Sequence, residues 1–162
     1  MSKKNYEDLP LSLAFFDGVP VLFFSMAMIL LAMHVHNICF IVGAVMISLA
    51  GLGKVIWKII IAATKKDYDL LNKQLRVVMP IGFVLLIAGI VTELNGKQIK
   101  LVQQRICSFP AIVFFTITIV GIVLMSVFAF TLDSTKKRSH WIEQITNAIA
   151  QGCLLLGIFS CL

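Results

Sequence analysis

The sequence predicts an all-α fold, a polytopic transmembrane helical bundle of about five spans joined by short loops. Composition is the first reason: 59% hydrophobic residues, only 14% charged residues and a mean hydropathy of +0.97 would leave a water-soluble domain with far too much exposed apolar surface. Apolar runs of about span length recur through the chain, separated by short polar connections. The 14 Lys and Arg residues sit mostly at the ends of those runs, where they would meet anionic headgroups. The net charge of +6 is therefore a topological signal and not a nucleic-acid footprint. Membrane lipids are the expected partners and nucleic acid is not. Residues 1–162 are expected to form a single integral membrane domain, with no room for a soluble catalytic unit.

The first apolar run, Leu9 to Met33, is interrupted by Asp17, Gly18 and Pro20. It divides into an interfacial segment, 9–16, and a span, 18–33, with Asp17 as the N-cap and Pro20 in the first turn. Lys3 and Lys4 ahead of an apolar run suggest a signal peptide, but the run is long and Ala32 to His36 makes a poor cleavage site, so retention is expected. A second span covers 38–62. Its Ala44, Ser48 and Gly51 form a small-residue stripe that lets another helix approach, and Lys58 continues that stripe.

A charged connection follows, with Lys65, Lys66, Asp67, Asp69, Lys73 and Arg76; Leu70, Leu71, Leu75 and Val78 give part of it the apolar side of a surface-lying helix. Pro80 is expected to open the third span, 77–94, which stops at the turn pair Asn95 and Gly96. The basic connection after it is weakly amphipathic, with Ile99, Val102 and Ile106 on one side. Pro110 opens an uncharged fourth span, 109–131. Lys136, Lys137 and Arg138 close that span, Trp141 supplies an interfacial anchor, and the fifth span is 142–162. Pro20 to Phe24 and Pro110 to Phe115 begin two spans similarly, but so short a match in apolar sequence arises easily by chance, and an odd number of spans leaves two-fold internal symmetry incomplete.

Basic residues set the expected orientation. With the N-terminus cytoplasmic, the inner segments hold Lys3, Lys4, Lys65, Lys66, Lys73, Arg76, Lys136, Lys137 and Arg138, against Lys97, Lys100 and Arg105 outside. The chain is expected in the cell membrane as a multi-pass protein, N-terminus cytoplasmic and C-terminus external.

The most informative polar pattern lies in the fifth span. Glu143, Asn147 and Gln151 recur every four residues and line one side of a helix, where lipid cannot satisfy them. Asp17, Lys54 and Lys58 belong to the same half of the bundle, so two acids and two bases converge with the ladder on a candidate cytoplasm-facing vestibule for an ion or small polar solute. Simpler readings stand beside this one: Asp17 as a helix cap, Lys54 and Lys58 as snorkelling side chains, Glu143 at the water boundary, and Asn147 with Gln151 as interhelical hydrogen-bond glue.

On the opposite side lie His34, His36, Cys39, Glu93 and Cys107, residue types that could ligate zinc or copper. His34 and His36 point to different sides of a helix, so ordinary interfacial histidines and small apolar cysteines explain them as well. None of the four cysteines forms a CxxC pair, which argues against a disulfide relay, although Cys39 and Cys107 could bridge. GxGxxG, Walker A, HExxH and GxSxG motifs are absent, so no cofactor is expected. The sequence thus points to a small transporter or channel-like protein, with a non-enzymatic accessory or lipid-interacting protein as the alternative and a small intramembrane enzyme as a third. Five helices barely enclose a path, so self-association into a homo-oligomer is expected.

Overall fold

The computed structural model describes residues 11–64, 69–93, 96–132 and 137–162, with side chains except at 69–76, 96–99, 129 and 137. Among these residues the chain is all-α, with seven helices and no strand: α1 (Leu11–Phe16), α2 (Gly18–Ala32), α3 (Ile38–Thr64), α4 (Asp69–Glu93), α5 (Gly96–Ile106), α6 (Ala111–Thr131) and α7 (Lys137–Cys161). Four stretches, Leu11–Ala32, Ile38–Thr64, Ala111–Phe128 and Arg138–Cys161, are long and apolar enough to cross a membrane, and Val77–Glu93 is a shorter apolar helix. Lys3, Lys4, Lys65, Lys66, Lys136 and Asn95 lie outside the described residues, as do the side chains of Leu70, Leu71, Lys73, Leu75, Arg76, Lys97, Ile99 and Lys137.

Two boundaries differ from the sequence expectation. The segment expected at the interface is helix α1, which buries Leu13 and Ala14 while exposing Leu11 and Phe15. Its last turn runs into α2: Asp17 has helical backbone angles, and its N–H donates to the Leu13 carbonyl at 3.0 Å. The Asp17 side chain makes no capping bond, so it is not the N-cap that its position suggested. Pro80, expected to open a span, instead lies inside α4. Proline removes one backbone donor, so the carbonyl of Arg76 loses its usual partner, a defect that packed apolar helices tolerate.

Helix α2 sits centrally, between α3 and α7; α4 packs on the far side of α3 and α6 on the far side of α7. Helices α4 and α6 do not approach each other among the described residues. A core of Ala27, Met28, Phe40, Ala44, Ile47, Leu86 and Ile158 joins α2, α3, α4 and α7. The tightest approach is between α3 and α4. A Cβ added to Gly43 would lie 2.7 Å from both the Gly82 carbonyl oxygen and the Leu86 nitrogen, and one added to Gly89 would collide with the backbone of Phe40. Only glycine lets these two backbones pack so closely. The expected stripe is used on a neighbouring side of α3: Gly51 faces Val21 of α2, where an added Cβ would lie 2.9 Å from a Val21 methyl.

Polar side chains close the backbone at the end formed by the α2–α3 turn. Asn37 accepts from the Cys39 N–H at 2.9 Å and the Phe40 N–H at 3.4 Å, and thereby caps α3. Its Nδ2 donates to Thr92 Oγ1 at 3.1 Å, tying that turn to the end of α4. At the same end the Arg105 guanidinium of α5 donates to the carbonyls of Cys161 and Leu162, a cation placed on a helix C-terminus.

Candidate functional site

Contacts along the helices fix which residues can meet. Between α2 and α3 they descend: Val21 meets Gly51, Gly18 approaches Val55, and Asp17 meets Lys58, so the two helices are antiparallel. Along α7 the contacts with the continuous α1–α2 stretch ascend, from Phe16 at the end of α1 on Trp141, with ring centroids 5.5 Å apart, to Phe23 of α2 on Gly152, so α2 and α7 run together. The start of α2, the late half of α3 and the early half of α7 therefore share one end of the bundle, and α1 packs there against α3 and α7.

Lys58 follows Gly51 by seven residues, which returns it to the side of α3 that faces α2. Its Nζ lies 2.7 Å from Asp17 Oδ2, and Asp17 is only 6% exposed. This is a partly desolvated ion pair, of the kind whose loss of one partner leaves a costly buried charge. Lys54 is exposed and lies close enough to Lys58, Asp17 and Glu143 to feel their charges. Glu143 makes a looser contact with its own helix, 3.9 Å from His140 Nδ1. The two acids and two bases named from sequence thus occupy one neighbourhood, in which Asp17 and Lys58 pair directly.

The polar ladder of α7 is less uniform than its spacing implied. Each four-residue step turns a helix by about 40° beyond a full circle, so Glu143 and Gln151 point roughly 80° apart. Glu143, Asn147 and Gln151 are each half-buried. The residue that sequence reasoning missed is Gln144, which is buried and stands seven residues before Gln151, with buried Ala148 between them. An i, i+4, i+7 test would have placed all three on one inward stripe. Among the described residues, the buried side-chain atoms without a hydrogen-bond partner are Gln144 Oε1, Gln151 Oε1 and Ser25 Oγ, all on α2 and α7. Ser25 had no spacing signal to single it out.

A cavity of about 60 Å³ lies where α1, α3 and α7 meet. Leu13, Ala14, Trp57 and Ile61 form its apolar wall, and Lys58, His140 and Gln144 its polar one. That space exceeds what a single water needs, roughly 10 to 15 Å³. Among the described residues, the lining holds no serine, threonine or cysteine.

At the other end, His34 Nδ1, in the turn that follows α2, lies 3.0 Å from the Leu30 carbonyl in the last turn of that helix. His36, Cys39 and Cys107 are exposed, Glu93 is half-buried, and all four cysteines are free thiols. No three His, Cys, Asp or Glu residues come together as a metal-ligand set among the described residues.

No known family model, curated protein or solved structure matches the chain. Its geometry is thus the basis for a functional reading.

Proposed function

We propose that this chain is a small multi-pass transporter or channel-like protein that admits a small polar solute or ion through a vestibule at the Asp17–Lys58 end. The observation that carries this reading is the cavity, where the ammonium of an interhelical ion pair and a buried glutamine with an unpartnered oxygen share one small space. Polar groups held among membrane-spanning helices are expensive unless paired or hydrated, which favours use over accident. The excess of basic residues in the segments on that side faces the vestibule to the cytoplasm, with the N-terminus inside and the C-terminus outside. Because α4 and α6 do not approach each other among the described residues, a second copy of the chain completes the enclosure as a homo-oligomer.

Reconstitution into liposomes tests the proposal. Entrapped dyes would report proton, potassium and chloride flux, and light scattering would report entry of urea and glycerol. At least one of these solutes should cross faster than in empty liposomes, and Lys58→Met should slow it. If none crosses faster, the accessory or lipid-interacting reading takes precedence; the dry, glycine-mediated packing of α3 on α4 favours it independently.

A further inference from the structure

A groove of about 340 Å³ lies between the α1–α2 stretch and α7 and shares no lining residue with the cavity beside Lys58. Phe16 and Phe23 line it from one side, and Ile145, Ile149, Gly152 and Leu156 from the other. Ile145, Ile149 and Leu156 are exposed, so the groove opens on the outside of the bundle, where lipid would meet it. We infer that it holds an acyl chain of one anionic glycerophospholipid, whose phosphate is bound by Arg138.

Register joins the charge to the groove. Arg138, Ile142, Ile145, Ile149, Gly152 and Leu156 follow one another at alternating steps of four and three, so Arg138 heads the stripe of α7 that lines the groove. It stands one heptad, roughly 10 Å, before Ile145. Arg138 is exposed, and among the described residues it makes no hydrogen bond or ion pair. Depth agrees with this order. Trp141, packed on Phe16 with ring centroids 5.5 Å apart, marks the membrane boundary and puts Arg138 at the level of the headgroups. From Ile145 to Leu156 the groove then follows α7 for roughly 16 Å, about half of a hydrocarbon core ~30 Å thick. That is the depth of one leaflet.

The chemistry of the two parts selects the occupant. An arginine fork matches a phosphate, and the sequence run Lys136, Lys137 and Arg138 favours a headgroup with net negative charge over a zwitterion that carries its own cation. A second copy of the chain fits this face less well, because it would have to bring a carboxylate to Arg138. Among the described residues at this end, Asp17 is buried against Lys58, and Glu143 is half-buried about 140° around α7 from Arg138.

Native mass spectrometry of the full chain in detergent, titrated with dioleoyl phosphatidylglycerol or dioleoyl phosphatidylcholine, tests the site. The first phosphatidylglycerol should bind more tightly than the first phosphatidylcholine, and Arg138→Gln should reduce that preference roughly fivefold, the effect of one cation at an anionic headgroup. Arg138→Lys should keep most of it, and Lys100→Gln, an exposed cation at the far end, should leave it unchanged. Ile149→Trp, at an exposed position, should weaken both lipids by obstructing the groove; Leu156→Trp makes the same test if that variant does not fold. Equal affinity of the wild type for the two lipids would overturn the inference, as would a loss in Lys100→Gln equal to that in Arg138→Gln, the mark of diffuse attraction. Unchanged lipid binding in a folded groove variant would overturn it too, and dissociation of a dimer in that variant would assign the groove to a second copy of the chain.

Discussion

The two ends of this bundle use polar side chains in opposite ways. At the end formed by the α2–α3 turn, Asn37 caps α3 and binds Thr92, Arg105 holds the carbonyls that finish α7, and His34 lies against the carbonyl of Leu30. Each of these groups closes backbone or joins neighbouring elements, and the glycine-lined contact of α3 with α4 begins directly beneath them. At the opposite end, Asp17 occupies the capping position but spends its carboxylate on Lys58, and Gln144 buries an oxygen that nothing in the described residues satisfies. Polar residues near the ends of apolar helices are therefore not equivalent signals. Those that complete the backbone explain themselves; those turned away from it toward a cavity ask for a ligand.

The largest expected effect is at the ion pair. Lys58→Met should destabilise the folded chain in detergent by about 3 kcal/mol, since it strands a buried carboxylate, and adding Asp17→Asn should recover much of that loss. Additive losses in the double variant would mean that the two residues act separately and that the polar end is not organised around them.

Next in size is the dry half. Gly43→Ala would drive a methyl into the backbone of α4 and should cost about 2 to 3 kcal/mol in thermal or denaturant unfolding, because backbone cannot yield as a side chain can. Gly18→Ala is its control. An added Cβ there meets only a Val55 methyl at 3.6 Å, an ordinary contact, so its effect should lie within about 0.5 kcal/mol of zero. Equal losses at the two glycines would erase the distinction between a tight half and a looser one.

Smaller still is the cap. Asn37→Ala should cost about 1 kcal/mol and increase amide exchange in the first turn of α3, with Cys39 and Phe40 responding first. Glu143→Gln should have the smallest effect, at most about 0.5 kcal/mol, because its contact among the described residues is a loose one, His140 Nδ1 at 3.9 Å on the same helix. A loss of several times that size would place Glu143 in the ion pair's network and enlarge the polar end.

Much of this arrangement was legible in the amino-acid pattern, for identifiable reasons. Apolar runs and their charged borders mark helices of span length, and the start of α3 at Ile38 follows directly from the polar turn before it. The grouping of Asp17 with Lys58 was also readable, because alternating helix direction places both at one end. Pro80 misled because proline marks a helix start only when nothing else holds the helix together across it, and here α4 continues through that position. Asp17 misled because a carboxylate within reach of an ammonium gains more from that charge than from a capping bond. The ladder of Glu143, Asn147 and Gln151 identified the right helix but followed a four-residue step that drifts around it. The deeper stripe through Gln144, Ala148 and Gln151 needs the three-and-four alternation of a packed seam. The close approach of Gly43 to Gly82 depends on the relative register of two helices, which no single-helix periodicity encodes.

The central claim is that the cavity beside Lys58 is open to solute whereas the core on the other side of the bundle is dry. The most direct measurement is thiol labelling of single-cysteine variants, made after replacing the four native cysteines and carried out in proteoliposomes with the small, uncharged reagent methyl methanethiosulfonate. Gln144→Cys should react at a rate within about tenfold of an exposed site such as Arg138→Cys, while Ala27→Cys, at a fully buried core position, should remain unreactive. A Gln144→Cys variant as inert as Ala27→Cys would contradict the claim and leave the polar end as a closed structural joint.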